Sequence, residues 1–169
     1  MAQRQYLDHS AFGPFVRPDS RILILGSFPS PKSREQAFFY GHPQNRFWRV
    51  LAALTHEPVP ETREDKACFL EKNRISLYDV IESCSIIGAA DSTIADVRAA
   101  DLRPLLQGSQ IGSSIFVNGG KAYEMYRKYT EPVLGIKATR LPSTSPANAA
   151  FTLERLIELW GQALGGYIG

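Results

Sequence analysis

The feature that most constrains this chain is a short, wholly apolar run, Ile22-Leu23-Ile24-Leu25, which ends at a glycine. A strand without a polar side suits a parallel sheet that is covered on both faces. Sheets of this kind bind ligands beyond the carboxyl ends of their strands. Residues 27–45 follow the run directly and are rich in aromatic side chains and proline. We therefore expect a ligand site in this segment.

Three further apolar runs have strand character, at residues 75–80, 114–118 and 137–141, whereas the first run predicts a strand over 21–26. Between the strands, apolar residues recur at helical spacing. This spacing predicts helices over 46–56, from Thr62 to Asn73, after Gly119-Gly120 and over 153–164. Strands that alternate with helices predict the α/β class: a three-layer α/β/α sandwich with a central, mostly parallel four-stranded sheet.

Four segments lack a clear pattern. Residues 1–20 contain two prolines and predict an irregular lead-in, and residues 27–45 predict a long loop. Residues 83–88 are interpreted as irregular, and residues 89–106 predict one or two short helical turns.

Composition sets limits on the whole chain. Its 169 residues, 44% hydrophobic, predict a single domain over 1–169. Two cysteines form neither a disulfide framework nor the ligand spacing of a zinc or iron–sulfur site, so we expect a reducing cytoplasm. We expect no cofactor. No run approaches the roughly 20 apolar residues of a membrane span. A formal charge of +2 does not identify a nucleic-acid partner, and nothing in the sequence requires more than a monomer.

The loops after the four predicted strands would meet at one edge of the sheet. Together they carry aromatic side chains, two asparagines and Ser/Gly-rich turns. Aromatic rings stack on flat ligands, and amides both donate and accept hydrogen bonds. Ser143 and Ser145 precede the last predicted helix, where free backbone N–H groups would suit a phosphate. These residue types indicate a nucleobase site with phosphates bound outside it.

Three segments resemble motifs of a known family: Gly26-Ser27-Phe28-Pro29-Ser30, Phe39-Tyr40-Gly41-His42-Pro43-Gln44-Asn45-Arg46-Phe47-Trp48 and Leu141-Pro142-Ser143-Thr144-Ser145-Pro146-Ala147-Asn148. They resemble the uracil-DNA glycosylase superfamily, and most closely its hypoxanthine-DNA (DNA-deoxyinosine) glycosylase branch. The resemblance implies a monofunctional, metal-free DNA repair enzyme. Such an enzyme flips a deaminated base, here hypoxanthine, out of double-stranded DNA and hydrolyses its N-glycosidic bond.

The resemblance also implies roles for individual residues. Asn45 would be catalytic by positioning the attacking water, and Asn118 would bind the amide edge of the base or act as a second catalytic group. His42 would assist the leaving base. The remaining base-binding residues would be Ser27, Phe28 and Tyr40, the last by stacking, and the DNA-binding residues would be Ser30, Lys32, Ser143 and Ser145.

Two departures from the wider family keep alternatives open. Ser27 and Phe28 stand where other branches place the Asn or Asp that activates water, so strong uracil excision is not expected. Leu141 and Ser145 stand where uracil enzymes place a histidine and a leucine. A mismatch-specific uracil or xanthine glycosylase and a catalytically silent nucleic-acid-binding module remain alternatives. A small-molecule hydrolase ranks last, because the sequence offers neither a nucleophile triad nor three metal ligands.

Local structural roles compete with these assignments. Asn45 would also suit a helix start, where asparagine is a favoured cap. Asp79, at a strand end, suits a capping carboxylate better than a general base.

Overall fold

The computed structural model of the protein describes residues 3–168. In chain order its strands are β1 (Arg4–Asp8), β2 (Ile22–Gly26), β3 (Ile75–Asp79), β4 (Ile81–Ile87), β5 (Ala95–Ala99), β6 (Ile115–Asn118) and β7 (Thr139–Leu141). Its helices are α1 (Pro31–Gln36), α2 (Phe47–Thr55), α3 (Arg63–Asn73), α4 (Arg103–Gln107), α5 (Gly120–Met125), α6 (Glu131–Leu134) and α7 (Leu153–Leu164).

A four-stranded parallel sheet forms the centre of the molecule, in the order β3-β2-β6-β7. Every residue of β2 and β3 is buried, as expected for strands covered on both faces. In register, Gly26 pairs with Asp79, and Asn118 pairs with Leu141. The predicted α/β class and four-stranded sheet are confirmed, although the fourth strand is shorter than residues 137–141.

A second, three-stranded antiparallel sheet in the order β1-β4-β5 was not predicted. It corrects the irregular lead-in and the irregular stretch, where β1 and β4 lie. Residues 89–106 do hold the predicted short helical turns, a 3-10 turn (Asp91–Thr93) and the start of α4, but β5 lies between them and was not predicted. β1 carries polar residues on an almost fully exposed strand, and β4 buries three small polar or thiol side chains, Ser83, Cys84 and Ser85. These strands form through pairing with one another, so their own sequences carry little hydrophobic periodicity.

Two connections also differ from expectation. The segment 27–45 is not a plain loop, since α1 lies within it, capped by Ser30. The last helix begins at Leu153 with Thr152 as its cap, so Ser143 and Ser145 lie in the preceding loop and not at its N-terminus. The predicted bounds of the last helix, 153–164, are therefore confirmed, whereas Ser143 and Ser145 do not form its start.

The large buried aromatics lie beside the parallel sheet. Phe47 of α2 and Trp160 of α7 are fully buried, and their ring centroids lie 5.9 Å apart. Gly161 faces Leu54 so closely that a Cβ there would lie 3.0 Å from the leucine side chain. This packing fixes the start of α2, from which Asn45 projects.

Within residues 3–168, none of the helices is long and apolar enough to span a membrane.

Candidate active site

A cavity of about 430 Å³ opens at the carboxyl ends of β3, β2 and β6. The last residues of these three neighbouring strands, Asp79, Gly26 and Asn118, all line it. This is the edge at which ligands of parallel sheets bind, and the volume falls within the roughly 300–1,000 Å³ of small-molecule sites. The antiparallel sheet supplies another wall through Leu7 and Ile86.

All but one of the residues that the sequence singled out line this cavity. They are Ser27, Phe28, Ser30, Tyr40, His42, Asn45, Asn118, Ser143 and Ser145. Lys32 is exposed on α1, with its Nζ 3.5 Å from the Glu35 carboxylate, and does not line the cavity. The fold therefore brings together segments that are up to about a hundred residues apart.

Thr144 joins the two asparagines through a chain of hydrogen bonds. Its hydroxyl donates to Asn45 Oδ1 over 2.8 Å and accepts from Asn118 Nδ2 over 3.0 Å. The Thr144 backbone N–H donates to Asn118 Oδ1 over 3.1 Å. Thr144 is fully buried, so water does not compete for these bonds. The orientation of each amide is thereby fixed.

The free group of Asn45 is its amide nitrogen. Oδ1 accepts from the Phe47 backbone N–H over 2.9 Å as well as from Thr144. A backbone N–H only donates, so the atom facing it must be the oxygen, and both of its lone pairs are occupied. Nδ2 makes no hydrogen bond within the described chain and presents two donors. Asn45 both supports the start of α2 and offers N–H groups to the cavity.

The Asn118 amide has one N–H fewer than the Asn45 amide left for a ligand. After its two bonds to Thr144, one N–H and one lone pair remain for a ligand.

Tyr40 forms a rigid part of the cavity wall. Its ring stacks on Phe47, with centroids 3.9 Å apart and planes inclined by 20°, so a flipped base could stack only on its other face. The residue adopts φ 52°, a left-handed conformation that strains a side chain of this size. Its buried hydroxyl has no hydrogen-bond partner among residues 3–168. Burial, followed by the charge of Asp79, raises the pKa of Tyr40, so the phenol stays protonated and can donate.

His42 Nδ1 accepts from the Gln44 backbone N–H over 3.1 Å. In the neutral imidazole the proton must then be on Nε2, which makes that nitrogen a donor.

The serines of the loop keep their hydroxyl protons available. Ser143 Oγ accepts from the Ser145 N–H over 3.1 Å, and Ser145 Oγ accepts from the Ala147 N–H over 3.2 Å. The guanidinium of Arg46 clamps the same loop by donating to the carbonyls of Ser145, Asn148 and Phe151. A loop held in this way can present hydroxyl donors to an anion with little ordering cost.

A buried ion pair lies behind the cavity. His9 Nε2 donates to Asp79 Oδ2 over 2.8 Å, and His9 Nδ1 donates to the Phe12 carbonyl over 2.8 Å. Burial lowers the pKa of His9, but the hydrogen bond and charge of Asp79 together with the Phe12 carbonyl outweigh it, and the pKa is raised. Asp79 therefore pairs with a histidine seventy residues away and is not the helix or loop cap that the sequence favoured.

Sequence reasoning gave no role to Thr144, Arg46 or His9. Thr144 and Arg46 lie inside the quoted motifs, yet their bonds depend on a loop that meets α2 only in the folded chain. Residues 3–168 hold no group of three or more His, Cys, Asp or Glu side chains arranged for a metal ion. What the site offers chemically is a set of hydrogen-bond donors and two carboxylates, Asp79 and Asp91, around a base-sized space.

Comparison with known proteins agrees with this geometry. The family model described as the uracil DNA glycosylase superfamily matches residues 14–162. A protein of Methanosarcina acetivorans named hypoxanthine DNA glycosylase is 37% identical over 148 residues, which cover 85% of this chain and 90% of that protein. A Methanosarcina barkeri protein of the same name is 31% identical over 141 residues, 81% of this chain and 86% of that protein.

A solved structure extends the match to three dimensions. It is the solution NMR structure of a Methanosarcina acetivorans protein provisionally named a uracil DNA glycosylase. The two chains superpose with a TM-score of 0.73 at 33% identity, covering 90% of this chain and 94% of the other. Matches of sequence and structure over most of the chain, around a cavity lined by the three motifs, show that this protein belongs to the uracil DNA glycosylase superfamily.

Proposed function

We propose that this protein is a monofunctional DNA glycosylase that excises hypoxanthine from deoxyinosine in double-stranded DNA. The observation that carries the proposal is the Asn45–Thr144–Asn118 network, which fixes two amides on the wall of a base-sized cavity. The names of the Methanosarcina relatives support hypoxanthine as the base.

The reaction needs two kinds of help. As the N-glycosidic bond breaks, positive charge develops on the sugar and negative charge on the departing base. The oxygen of a water molecule then bonds to the anomeric carbon, its proton is released, and free base and an abasic site remain. Donors placed where the negative charge develops lower this barrier, and removing one such donor typically slows a reaction by about 10²- to 10³-fold.

The fixed amides suggest the division of labour. Asn45 offers only N–H groups to the cavity, so we assign it to the charge on the leaving base or to the oxygen of the attacking water. Asn118 would use its remaining N–H and lone pair on the base edge. His42, with Nε2 as a donor, would be a second source of leaving-group stabilisation.

DNA would be held by groups around the mouth of the cavity. Ser30, Ser143 and Ser145 line it. Ser143 and Ser145 keep their hydroxyl protons free for phosphate oxygens, whereas the Ser30 hydroxyl donates to Ser33 Oγ over 3.2 Å and would have to leave that bond to reach a phosphate. Lys32 lies outside the cavity on the exposed face of α1, where a phosphate contact adds affinity without reading sequence.

The test is excision from duplexes that carry one hypoxanthine, uracil, xanthine or adenine, with alkali used to break abasic sites. We expect wild type to cut the hypoxanthine strand and Asn45→Ala to lose at least about 10²-fold in single-turnover rate while still binding the lesion duplex. Asn73→Ala is the matched control, since Asn73 is the last residue of α3, does not line the cavity and donates to the Glu57 carboxylate.

Asn45→Asp separates the two roles of Asn45. One carboxylate oxygen would keep the bonds from Phe47 and Thr144, and the other would replace an N–H donor by an acceptor. We expect this variant to be as impaired as Asn45→Ala. Activity near that of wild type would show that an acceptor suffices and that Asn45 acts on the protons of the water.

The alternatives have distinct outcomes. Preferential cutting of uracil or xanthine would identify a mismatch-type enzyme. Specific binding without cutting of any duplex would favour the catalytically silent binding module.

A further inference from the structure

Asp79 Oδ1 and the Tyr40 hydroxyl both lie beside Gly26, and in the described part of the chain neither has a hydrogen-bond partner. An ideal Cβ on Gly26 would lie 2.5 Å from Asp79 Oδ1 and 3.3 Å from the Tyr40 hydroxyl oxygen. Asp79 is 5% exposed, and both residues line the cavity. Within residues 3–168, Asp79 Oδ1 accepts no hydrogen bond and the Tyr40 hydroxyl makes none of good geometry, although burial raises the pKa of Tyr40 and the Asn118 amide lies near enough to offset part of that rise. Only a glycine leaves room for the carboxylate at this point, so the cavity wall carries a free acceptor with the buried Tyr40 hydroxyl close behind it.

His9 determines what Asp79 can offer. The Phe12 carbonyl only accepts, so His9 Nδ1 carries a proton, and the pair shares one further proton between His9 Nε2 and Asp79 Oδ2. Whichever of the two atoms holds that proton, Oδ1 retains its lone pairs. The side chain is also fixed, because its other oxygen is bonded in a dry environment. The cavity therefore contains a permanent acceptor of defined direction.

We propose that Asp79, held by His9, is a specificity-determining residue that accepts the lactam N–H of the flipped base, while the Tyr40 hydroxyl donates to the adjacent carbonyl oxygen. This inference rests on the proposed function. In hypoxanthine these groups are N1–H and O6, which lie side by side on the six-membered ring. Asp79 and Tyr40 present the complementary acceptor and donor at one place, beside Gly26.

The same pair explains how undamaged adenine is refused. Adenine carries a lone pair at N1 and an amino group at position 6. In the orientation proposed for hypoxanthine its N1 lone pair would face the Asp79 carboxylate with no proton between them, whereas the Tyr40 hydroxyl could still accept from the amino group, so the mismatch arises at Asp79. Sites built to bond an N–H or O–H reject analogues that lack it by factors of about 10⁴–10⁵. Uracil and xanthine also carry a lactam, and guanine differs from hypoxanthine by its 2-amino group, so Asp79 does not discriminate among these bases.

The experiment compares hypoxanthine with N1-methylhypoxanthine in otherwise identical duplexes, using single-turnover rates. For wild type we expect hypoxanthine to be cut at least about 100-fold faster, because the methyl group replaces the N–H and meets Asp79. Asp79→Ala removes the acceptor and makes room for the methyl group, so the ratio should fall below about 10-fold. Partial unfolding of a variant lowers both of its rates by the same factor, so the ratio still reports the specificity of the molecules that remain folded.

A conservative variant and a control complete the test. In Asp79→Asn, a neutral His9 would accept from Nδ2 and leave Oδ1 facing the cavity, so the hypoxanthine rate should stay within about 10-fold of wild type. Tyr40→Phe should lose about 10-fold on hypoxanthine. Asp101→Ala, which removes an exposed carboxylate paired with Arg103, should match wild type on both substrates.

An unchanged ratio in Asp79→Ala, with wild type active on hypoxanthine, would overturn this inference and leave the proposed function intact. Failure of wild type to cut hypoxanthine would overturn the proposed function and the inference together.

Discussion

At the scale of single residues, Thr144 shows how a buried hydroxyl can set the chemistry of its neighbours. It has no accessible surface, yet it holds both amides: its backbone N–H orients the Asn118 amide, and its hydroxyl bonds the Asn45 Oδ1 that the Phe47 N–H orients. Hydroxyl groups in such networks are costly to remove, because each former partner is left unsatisfied in a dry environment.

Thr144→Val, which keeps the shape of the side chain, should destabilise the protein by about 1–3 kcal/mol. It should also slow excision by about 10-fold or more, since Asn45 would then be held by the Phe47 N–H alone. Thr144→Ser retains the hydroxyl and should restore the rate. The two effects are measured by chemical denaturation and by single-turnover excision at saturating enzyme. A destabilised Thr144→Val with an unchanged rate would mean that Thr144 has only a structural role.

At the scale of elements, one arginine joins α2 to the loop between β7 and α7. Arg46 precedes α2 and donates to three carbonyls of that loop, while its backbone N–H donates to the Thr144 carbonyl over 3.0 Å. The planar guanidinium reaches several acceptors at once, which the compact ammonium of lysine does not. The loop that carries Ser143 and Ser145 is therefore held in place by an arginine that lies outside it, at the start of α2.

Arg46→Lys should free this loop. We expect hydrogen exchange of the amides of residues 143–151 to accelerate and apparent DNA affinity to fall by about 10-fold, or about 1.4 kcal/mol. Arg49→Lys is the matched control, since Arg49 is exposed on the next turn of α2 and bonds only carbonyls of its own segment. Equal effects of the two substitutions would point to general loss of arginine contacts to DNA in place of loop ordering.

At the scale of the whole molecule, the His9–Asp79 pair joins the two sheets. His9 directly follows β1 of the antiparallel sheet, and Asp79 ends β3 of the parallel sheet. The Tyr78 ring lies 4.5 Å from the His9 ring and helps to exclude water from it. The proton shared by His9 and Asp79 is thus one of the contacts that hold the two sheets together.

This coupling predicts a pH dependence of stability. The folded-state pKa of His9 is raised above its usual value of 6.5, so the native state binds the proton more tightly than the unfolded chain. Its contribution is fully present below about pH 6.5 and is lost as the pH rises through the folded pKa. The unfolding free energy of wild type should therefore fall over this range, and that of His9→Gln should fall less. Denaturation series from pH 6 to 9 would measure the difference, and parallel curves would contradict the coupling.

The central sheet and the lining of the cavity can be predicted from consecutive residues. The apolar runs predicted the four parallel strands, because strands covered on both faces need unbroken hydrophobicity, and the motifs predicted the residues that line the cavity. These signals are local, so they can be read from consecutive residues.

The second sheet and the hydrogen-bond partners of the cavity residues are visible only in the folded chain. The antiparallel sheet is made of polar or short strands that are stabilised by pairing with distant segments, and hydrophobic periodicity does not report such pairing. The orientation of the Asn45 amide depends on Thr144, and the environment of Asp79 depends on His9. An amide or a carboxylate can offer a ligand only the donors and acceptors that its protein partners do not already bind. Those partners come from distant parts of the sequence and reach the site only in the folded chain.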